Sequence, residues 1–296
     1  MTPIVGVVPN FSEGRRTTVI DAIVAALAVD GARVVFAEAD PDHNRLDTTV
    51  LGDADAVRRS ALAGVRVAVE RIDLFEHRGG HPRMGAADVI PFMPVADVTM
   101  AACVELARAF ARELVEALGI PVYLYGEAAV VPERRSLADV RRGEFEGLRD
   151  AVAAGERLPD LGPHEIGRAG ATAVGARKPL IAFNVYLDGD EDDARAIATS
   201  IRESSGGLPA LRAIGFAVPE RDAVTVSMNL VDFEVTGVEA AFEAVASDAD
   251  TRGMRVLDSE IVGLAPEAAL PAGAAERVRL RGFDADRQIL ERLIVG

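Results

Sequence analysis

The stretch PLIAFNVYL, residues 179–187, opens the part of the sequence that decides the fold. Its branched and aromatic side chains are typical of a β-strand. Apolar residues then follow at helical spacing over residues 191–203, and the sequence SSGG at 204–207 ends this pattern. The same reasoning predicts strands at 211–218 and 223–231, a helix at 237–249 and a strand at 255–262. The resulting β-α-β-β-α-β order is that of the ferredoxin-like fold.

The first half of the sequence begins with a similar order of elements. Predicted strands cover residues 4–8, 32–39, 48–51, 88–92 and 122–125, and predicted helices cover 16–28, 53–69 and 99–118. The stretch GATAVGARK, residues 170–178, breaks the periodicity, and we interpret it as the joint between the halves. We therefore predict two α+β units in tandem, residues 1–177 and 178–296, with a small-molecule site between them.

The composition limits the classes of function. The chain has 32 Lys and Arg residues against 47 Asp and Glu, a net charge of −15 at pH 7, which would repel nucleic acid and anionic membranes. The N-terminus does not resemble a signal peptide, and no apolar stretch reaches the ~20 residues of a membrane span. We expect a cytoplasmic protein without nucleic-acid or membrane partners. The only cysteine, Cys103, is interpreted as a buried apolar residue.

Two of the four histidines lie in the sequence HRGGHPRMG, residues 77–85. Glycine and proline allow such a loop to approach a ligand closely, and histidine carries protons near neutral pH because its unperturbed pKa is ~6.5. His77 and His81 are therefore candidates for acid–base chemistry, with an ordinary surface loop as the alternative. A zinc site is disfavoured because no cysteine accompanies the histidines, and we predict no metal site.

Three further segments carry polar side chains that suit ligand contact. The sequence DPDHNR, residues 40–45, follows a strand that carries Glu38, and it is either a ligand contact or a plain turn. The sequence GPHEIGRAG, residues 162–170, is a hinge or a ligand-lining loop, and it is neither a Walker loop nor a Rossmann fingerprint. In VPNFSEG, residues 8–14, we predict that Ser12 caps the following helix.

Taken together, these segments resemble the formiminotransferase domain, which forms the N-terminal part of vertebrate formimidoyltransferase-cyclodeaminase and also occurs as stand-alone bacterial enzymes. The matching stretches, in order, are VPNFSEGR (8–15), HPRMGAADVIPF (81–92), PVYLYGEAA (121–129), GATAVGARKPLIAFNV (170–185), VSMNLVDFEVT (226–236) and SEIVGLAP (259–266). The resemblance implies two tandem ferredoxin-like α/β-sandwich subdomains, a ligand tunnel between them and a homodimer.

The resemblance also implies an activity, the transfer of the formimino group from N-formimino-L-glutamate to tetrahydrofolate, the co-substrate. The family's catalytic histidine falls on His81, which would act as general base. The family's folate-lining loop falls on Gly162, Pro163, His164, Glu165, Ile166, Gly167, Arg168, Ala169 and Gly170.

Substrate carboxylates require a local basic lining in a protein of this charge. From the residues themselves, the substrate-contact candidates are Glu38, Asn44, Arg83, Arg168, Arg177 and Lys178, which is the only lysine. Two alternatives stay open. One keeps the fold and the folate site with another donor, either formiminoglycine or 5-formyltetrahydrofolate giving its formyl group to glutamate. The other is a non-catalytic folate-binding module, which the intact His81 loop disfavours.

Overall fold

The computed structural model describes residues 3–293, and the chain divides into two compact units, Met1–Arg177 and Lys178–Gly296. The elements of the first unit are β1 (Ile4–Val7), β2 (Asn10–Phe11), α1 (Thr17–Leu27), β3 (Ala32–Asp40), β4 (Arg45–Gly52), α2 (Ala54–Arg71), β5 (Ala87–Ala96), α3 (Met100–Leu118), β6 (Val122–Gly126), α4 (Leu137–Val140), α5 (Glu144–Ala153) and β7 (Thr172–Ala176). Those of the second are β8 (Ile181–Asp188), α6 (Glu191–Ile201), β9 (Leu211–Val218), β10 (Ala223–Leu230), α7 (Val238–Thr251), β11 (Arg255–Val262), α8 (Ala274–Arg277) and α9 (Ala285–Gln288).

The second unit has the predicted ferredoxin-like arrangement. Its strands form one antiparallel sheet in the order β11-β8-β10-β9. Alternate residues of β8, from Ile181 to Leu187, are buried in an apolar core with α6 and α7, as expected for a sheet with one covered face. The six elements predicted here are confirmed, each with ends within two residues of those observed.

The first unit repeats this order and extends it. Strands β1 and β2 both pair with β4 on one side and with β5 on the other, so they share one position in the sheet. With β3 on the outer side of β4, the order β5-(β1, β2)-β4-β3 is again ferredoxin-like. Strands β7 and β6 lie beyond β5 and are parallel to it. The predicted class, two tandem ferredoxin-like α+β subdomains, is confirmed.

The expectation that regular structure is interrupted over residues 170–178 is wrong, although the boundary between the two units, Arg177/Lys178, falls within this stretch. Thr172–Ala176 is strand β7, which is buried and pairs with both β5 and β6. Gly175 is needed in this strand because a Cβ there would come within 2.6 Å of the Tyr125 ring. A buried parallel strand of small residues lacks the alternation of polar and apolar residues from which strands are predicted.

The prediction that Ser12 caps the first helix is also wrong. Helix α1 begins at Thr17, and its N-cap is Arg16, which makes no side-chain capping bond. The Ser12 hydroxyl instead donates to the Gly85 carbonyl at 2.7 Å. This bond ties the N-terminal segment to the loop that follows His81.

Candidate active site

His81 lies on the loop between α2 and β5, with its imidazole partly buried. Its Nδ1 is 2.7 Å from the Pro82 carbonyl oxygen. Because a carbonyl only accepts hydrogen bonds, Nδ1 must carry the proton of the neutral ring. The lone pair is therefore on Nε2, for which residues 3–293 provide no hydrogen-bond partner. This tautomer presents a proton acceptor.

The surroundings keep the imidazole neutral. Burial, followed by the nearby guanidiniums of Arg45 and Arg141, lowers the pKa of His81 to about 4, and the Asp88 carboxylate opposes them only in part. Both effects disfavour the imidazolium, because it is poorly solvated there and repelled by like charges. At neutral pH the ring is therefore ready to accept a proton.

Asp88 organises the charges around His81. Its side chain has no exposed surface, and it accepts from the Met84 amide at 2.8 Å, Arg45 Nη1 at 2.9 Å and Arg141 Nη2 at 2.5 Å. Burial acts to raise the pKa of Asp88, but the two guanidiniums outweigh it and hold this pKa below its ordinary value. The carboxylate is thus ionised and positions both arginines.

A β-bulge explains how Asp88 leaves the ordinary strand pattern. In the pairing of β2 with β5, Asn10 lies opposite Val89 and Phe11 opposite Ala87. Asp88 is the extra residue between them. Bulges of this kind redirect a side chain and recur near active sites.

Three buried polar atoms in the first unit have no hydrogen-bond partner of good geometry among the described residues: Arg141 Nε, Tyr125 Oη and Asn10 Oδ1. The Arg177 guanidinium is near enough to the Tyr125 hydroxyl to act on its pKa, which burial raises overall, but no hydrogen bond of acceptable geometry joins the two. Unpaired buried polar atoms are uncommon in native proteins and call for an explanation.

The second histidine of the loop has a structural role. His77 Nε2 donates to the Asn44 carbonyl at 3.1 Å, and its Nδ1 accepts from Arg83 Nε at 3.3 Å. Burial is the main cause of its lowered pKa. With both ring nitrogens engaged, His77 holds the loop and has no free site for proton transfer. The ring of His43 lies edge-on to that of His81, with 6.3 Å between the ring centroids.

The two polar candidates of the segment around residue 40 differ in their surroundings. Asn44 is buried in the left-handed conformation (φ 52°), and its side chain accepts from the Gly14 amide and donates to the Arg78 carbonyl. It therefore joins three loops. Glu38 is exposed on β3, opposite Asp47 of β4.

Two of the basic candidates already have acidic partners. Arg83 is mostly buried and makes a bidentate ion pair with Glu146 and a further bond to Glu144. Lys178 belongs to the second unit, and its Nζ lies 2.8 Å from Asp232 Oδ2 and 2.5 Å from Glu234 Oε2. A substrate carboxylate that bound Arg83 or Lys178 would therefore have to compete with these acidic side chains.

The predicted folate loop is joined to the His81 loop by backbone hydrogen bonds. The Ala86 amide donates to the Ala169 carbonyl at 2.8 Å, and the Ala171 amide donates to the Met84 carbonyl at 2.9 Å. Gly85 is needed at this crossing because a Cβ there would lie 2.1 Å from the Ala171 oxygen. The structure thus brings together two segments that are some 80 residues apart in sequence.

A cavity of about 380 Å³ opens beside the predicted folate loop. Loop residues from Pro163 to Gly170 form one wall, and the end of α2 with residues 119–121 forms the other. Arg168 lies in this wall and donates to the carbonyls of Val69 and Glu70. Both acceptors are neutral carbonyls, so these hydrogen bonds do not neutralise the positive charge of Arg168.

The residues that surround His81 could not be recognised from the sequence. Asp88 and Tyr125 lie within predicted strands, and Arg141 lies in a segment with no predicted element. Within residues 3–293, no group of three or more His, Cys, Asp or Glu side chains could hold a metal ion. The helices in that range are all too short or too polar to cross a bilayer.

Two family models match the chain. The model of the formiminotransferase domain, N-terminal subdomain, matches residues 4–177, and that of the formiminotransferase domain matches residues 182–281. A glutamate formimidoyltransferase of Streptococcus pyogenes serotype M1 is 43% identical and covers 100% of both chains. One of Thermoplasma acidophilum is 44% identical, over 96% of this chain and 95% of its own. The formimidoyltransferase-cyclodeaminase of Sus scrofa is 44% identical, over 93% of this chain and 52% of its own.

Proposed function

The chain belongs to the formiminotransferase domain family, and from that premise we propose that it transfers the formimino group of N-formimino-L-glutamate to tetrahydrofolate. The products are 5-formiminotetrahydrofolate and L-glutamate. Full-length relatives that carry the name glutamate formimidoyltransferase support this assignment. The structural observation that carries it is the neutral His81, with its lone pair on Nε2, beside two guanidiniums.

The chemistry requires one proton to move. The secondary amine at N5 of tetrahydrofolate attacks the formimino carbon, and a tetrahedral intermediate forms. His81 Nε2 takes the N5 proton and then returns it to the glutamate nitrogen as the bond between that nitrogen and the formimino carbon breaks. The atoms balance without any other reactant, so one correctly placed base is sufficient.

Residues 162–170 fit the folate. The cavity that they line has a volume in the range of small-molecule pockets. Its walls offer apolar faces of Val69, Ile120 and Pro163, and Arg168 adds a cation for the glutamyl carboxylates of the folate tail. Binding both substrates next to each other converts a two-molecule encounter into a positioned one, which can lower the barrier by ~7–11 kcal/mol.

The test is formimino transfer from N-formimino-L-glutamate to tetrahydrofolate by the wild type and by His81→Ala. We expect turnover by the wild type and a loss of about 100-fold or more in kcat for the variant, the usual range for removal of a general base. Tetrahydrofolate binding by the variant, measured by fluorescence quenching, serves as the folding control. Equal kcat values for the two proteins would refute the role of His81.

The same assay also tests the alternative functions. If the wild type binds tetrahydrofolate without turning over N-formimino-L-glutamate, formiminoglycine and 5-formyltetrahydrofolate with L-glutamate are tested next. Binding without turnover of any of them would favour a non-catalytic folate-binding module. We further propose a cytoplasmic homodimer, as the family resemblance implies, and light scattering after size exclusion would give the mass of the assembly.

A further inference from the structure

Two buried polar groups beside the Asp88 cluster point to a binding site for an anion. Arg141 Nε and Tyr125 Oη are both buried, and neither makes a hydrogen bond of good geometry to the described residues. Arg177 lies close to the Tyr125 oxygen, but a guanidinium only donates, so the phenolic proton still lacks an acceptor among those residues. Helix α4, which Arg141 follows directly, packs against β6, which carries Tyr125, and the Arg141 charge acts on the pKa of the Tyr125 hydroxyl. Two adjacent buried donors are satisfied together by an acceptor with two oxygens, such as a carboxylate.

The local charges favour the same ligand. Arg45 and Arg141 are largely buried and share one buried carboxylate, that of Asp88. Asp47 also bonds to Arg45, but its side chain is 49% exposed and screened by water. The buried part of the cluster therefore has two cations for one anion. An uncompensated buried charge is costly unless a ligand balances it.

The position of the leaving nitrogen in the donor indicates which substrate carboxylate binds near His81. The nitrogen that leaves the formimino group is bonded to the α-carbon of the amino acid, which also bears the α-carboxylate. Since His81 must reach this nitrogen, the α-carboxylate has to lie close to His81. The cluster of Arg45, Arg141 and Asp88 is at the His81 loop, because Asp88 accepts from the Met84 amide, and both guanidiniums act on the pKa of His81. The carboxylates of the folate belong to its glutamyl tail, at the opposite end of that molecule from N5.

Resting on the function proposed above, we infer that Arg141 and Tyr125 bind the α-carboxylate of the amino-acid donor, with Arg45 supplying a second charge and Asp88 positioning both arginines. The subsite recognises what formiminoglutamate and formiminoglycine share, so it selects an α-amino-acid donor whatever its side chain. Binding has a second effect. The carboxylate offsets the guanidiniums that repel the imidazolium, and the base is therefore strongest when the donor is in place.

Arg141→Lys and Tyr125→Phe test the subsite, with Arg142→Lys as the matched control. Arg142 is the next residue, and its side chain is 75% exposed. At saturating tetrahydrofolate we expect the donor KM to rise about 10- to 100-fold in Arg141→Lys, the loss typical of a charge-assisted hydrogen bond. The KM for tetrahydrofolate should stay the same. Tyr125→Phe removes a hydroxyl that makes no hydrogen bond of good geometry to the described residues, so the Tm should change little while the donor KM rises.

Binding of product analogues separates this proposal from the proposed function. Isothermal titration compares L-glutamate with its α-amide, in the presence of tetrahydrofolate. Wild type should prefer L-glutamate by about 10-fold or more, and Arg141→Lys should lose most of that preference. An α-amide that binds wild type as well as L-glutamate, or a preference unchanged in both variants, would overturn the subsite.

If the wild type fails to use N-formimino-L-glutamate, the proposed function fails, and the subsite is tested with glycine and glycinamide. A preference for glycine that Arg141→Lys removes would support the α-carboxylate subsite with a different donor. Equal binding of glycine and glycinamide would overturn it. The two proposals therefore fail in distinguishable ways.

Discussion

Two charge clusters in this molecule have opposite compositions. In the first unit, the guanidiniums of Arg45 and Arg141 share the buried Asp88 carboxylate. In the second unit, the Lys178 ammonium is shared by Asp232 and Glu234, all three partly exposed. Water readily solvates the extra negative charge of the second cluster. In the first cluster the second carboxylate, Asp47, is half exposed, so the two buried guanidiniums still attract a further anion. The comparison distinguishes a binding site from a surface ion pair.

The largest expected effect is that of Asp88→Asn. The substitution leaves Arg141 without an acidic partner among the described residues and Arg45 with only the half-exposed Asp47, and breaking a buried ion pair in this way costs about 3–5 kcal/mol. We expect the free energy of unfolding, measured by urea titration, to fall by that amount. Formimino transfer should fall with it, because both arginines lose the group that positions them.

The matched control is Asp232→Asn in the second cluster. The amide oxygen can still accept a hydrogen bond, and Glu234 remains as the partner of Lys178. An exposed pair of this kind contributes ~0–1 kcal/mol. Equal losses of stability in the two variants would remove the distinction between the clusters.

The sequence predicts the fold better than it predicts the surroundings of His81. The second unit has strands with regular apolar alternation, such as β8, so its six elements could be placed from periodicity alone. His81 could be selected from its loop and from the family resemblance. Arg141 and Asp88 could not, because they are 53 residues apart and only the β-bulge and the turn after α4 bring them together.

The basic candidates show why residue type alone was insufficient. Arg83, Arg177 and Lys178 were selected for their charge, but a charge is available to a ligand only when its neighbours do not already balance it. Arg83 and Lys178 each have two acidic partners. Arg177 is the candidate that lies near Tyr125 and hence near the Asp88 cluster. Such partners depend on tertiary contacts that no local pattern encodes.

A second prediction concerns the pH dependence of the reaction in Arg141→Met. His81 faces Arg45, Arg141, Asp88 and the His43 ring. A positive neighbour disfavours the imidazolium, so removing Arg141 raises the pKa of His81 from about 4 toward its ordinary value. Since the base must be unprotonated, the acidic limb of the kcat/KM profile should move to higher pH.

The measurement is the ratio of kcat/KM between variant and wild type across pH, in which the titration of the substrates cancels. Arg142→Met provides the control, because the side chain of Arg142 is exposed and pairs with Asp139. An acidic limb that stays in place, or moves to lower pH, would show that Arg141 does not act on the base. An equal shift in Arg142→Met would show that the effect comes from the change in net charge and not from the position of Arg141.

The smallest expected effect is that of Lys178→Met in the second cluster. Two carboxylates already bind the ammonium, and their combined charge would repel a substrate anion. We therefore expect the free energy of unfolding to change by no more than ~1 kcal/mol, with donor and tetrahydrofolate KM values close to those of the wild type. Thermal unfolding and steady-state kinetics check both quantities. A donor KM raised as strongly as in Arg141→Lys would make Lys178 a substrate contact and would place a carboxylate site in each unit.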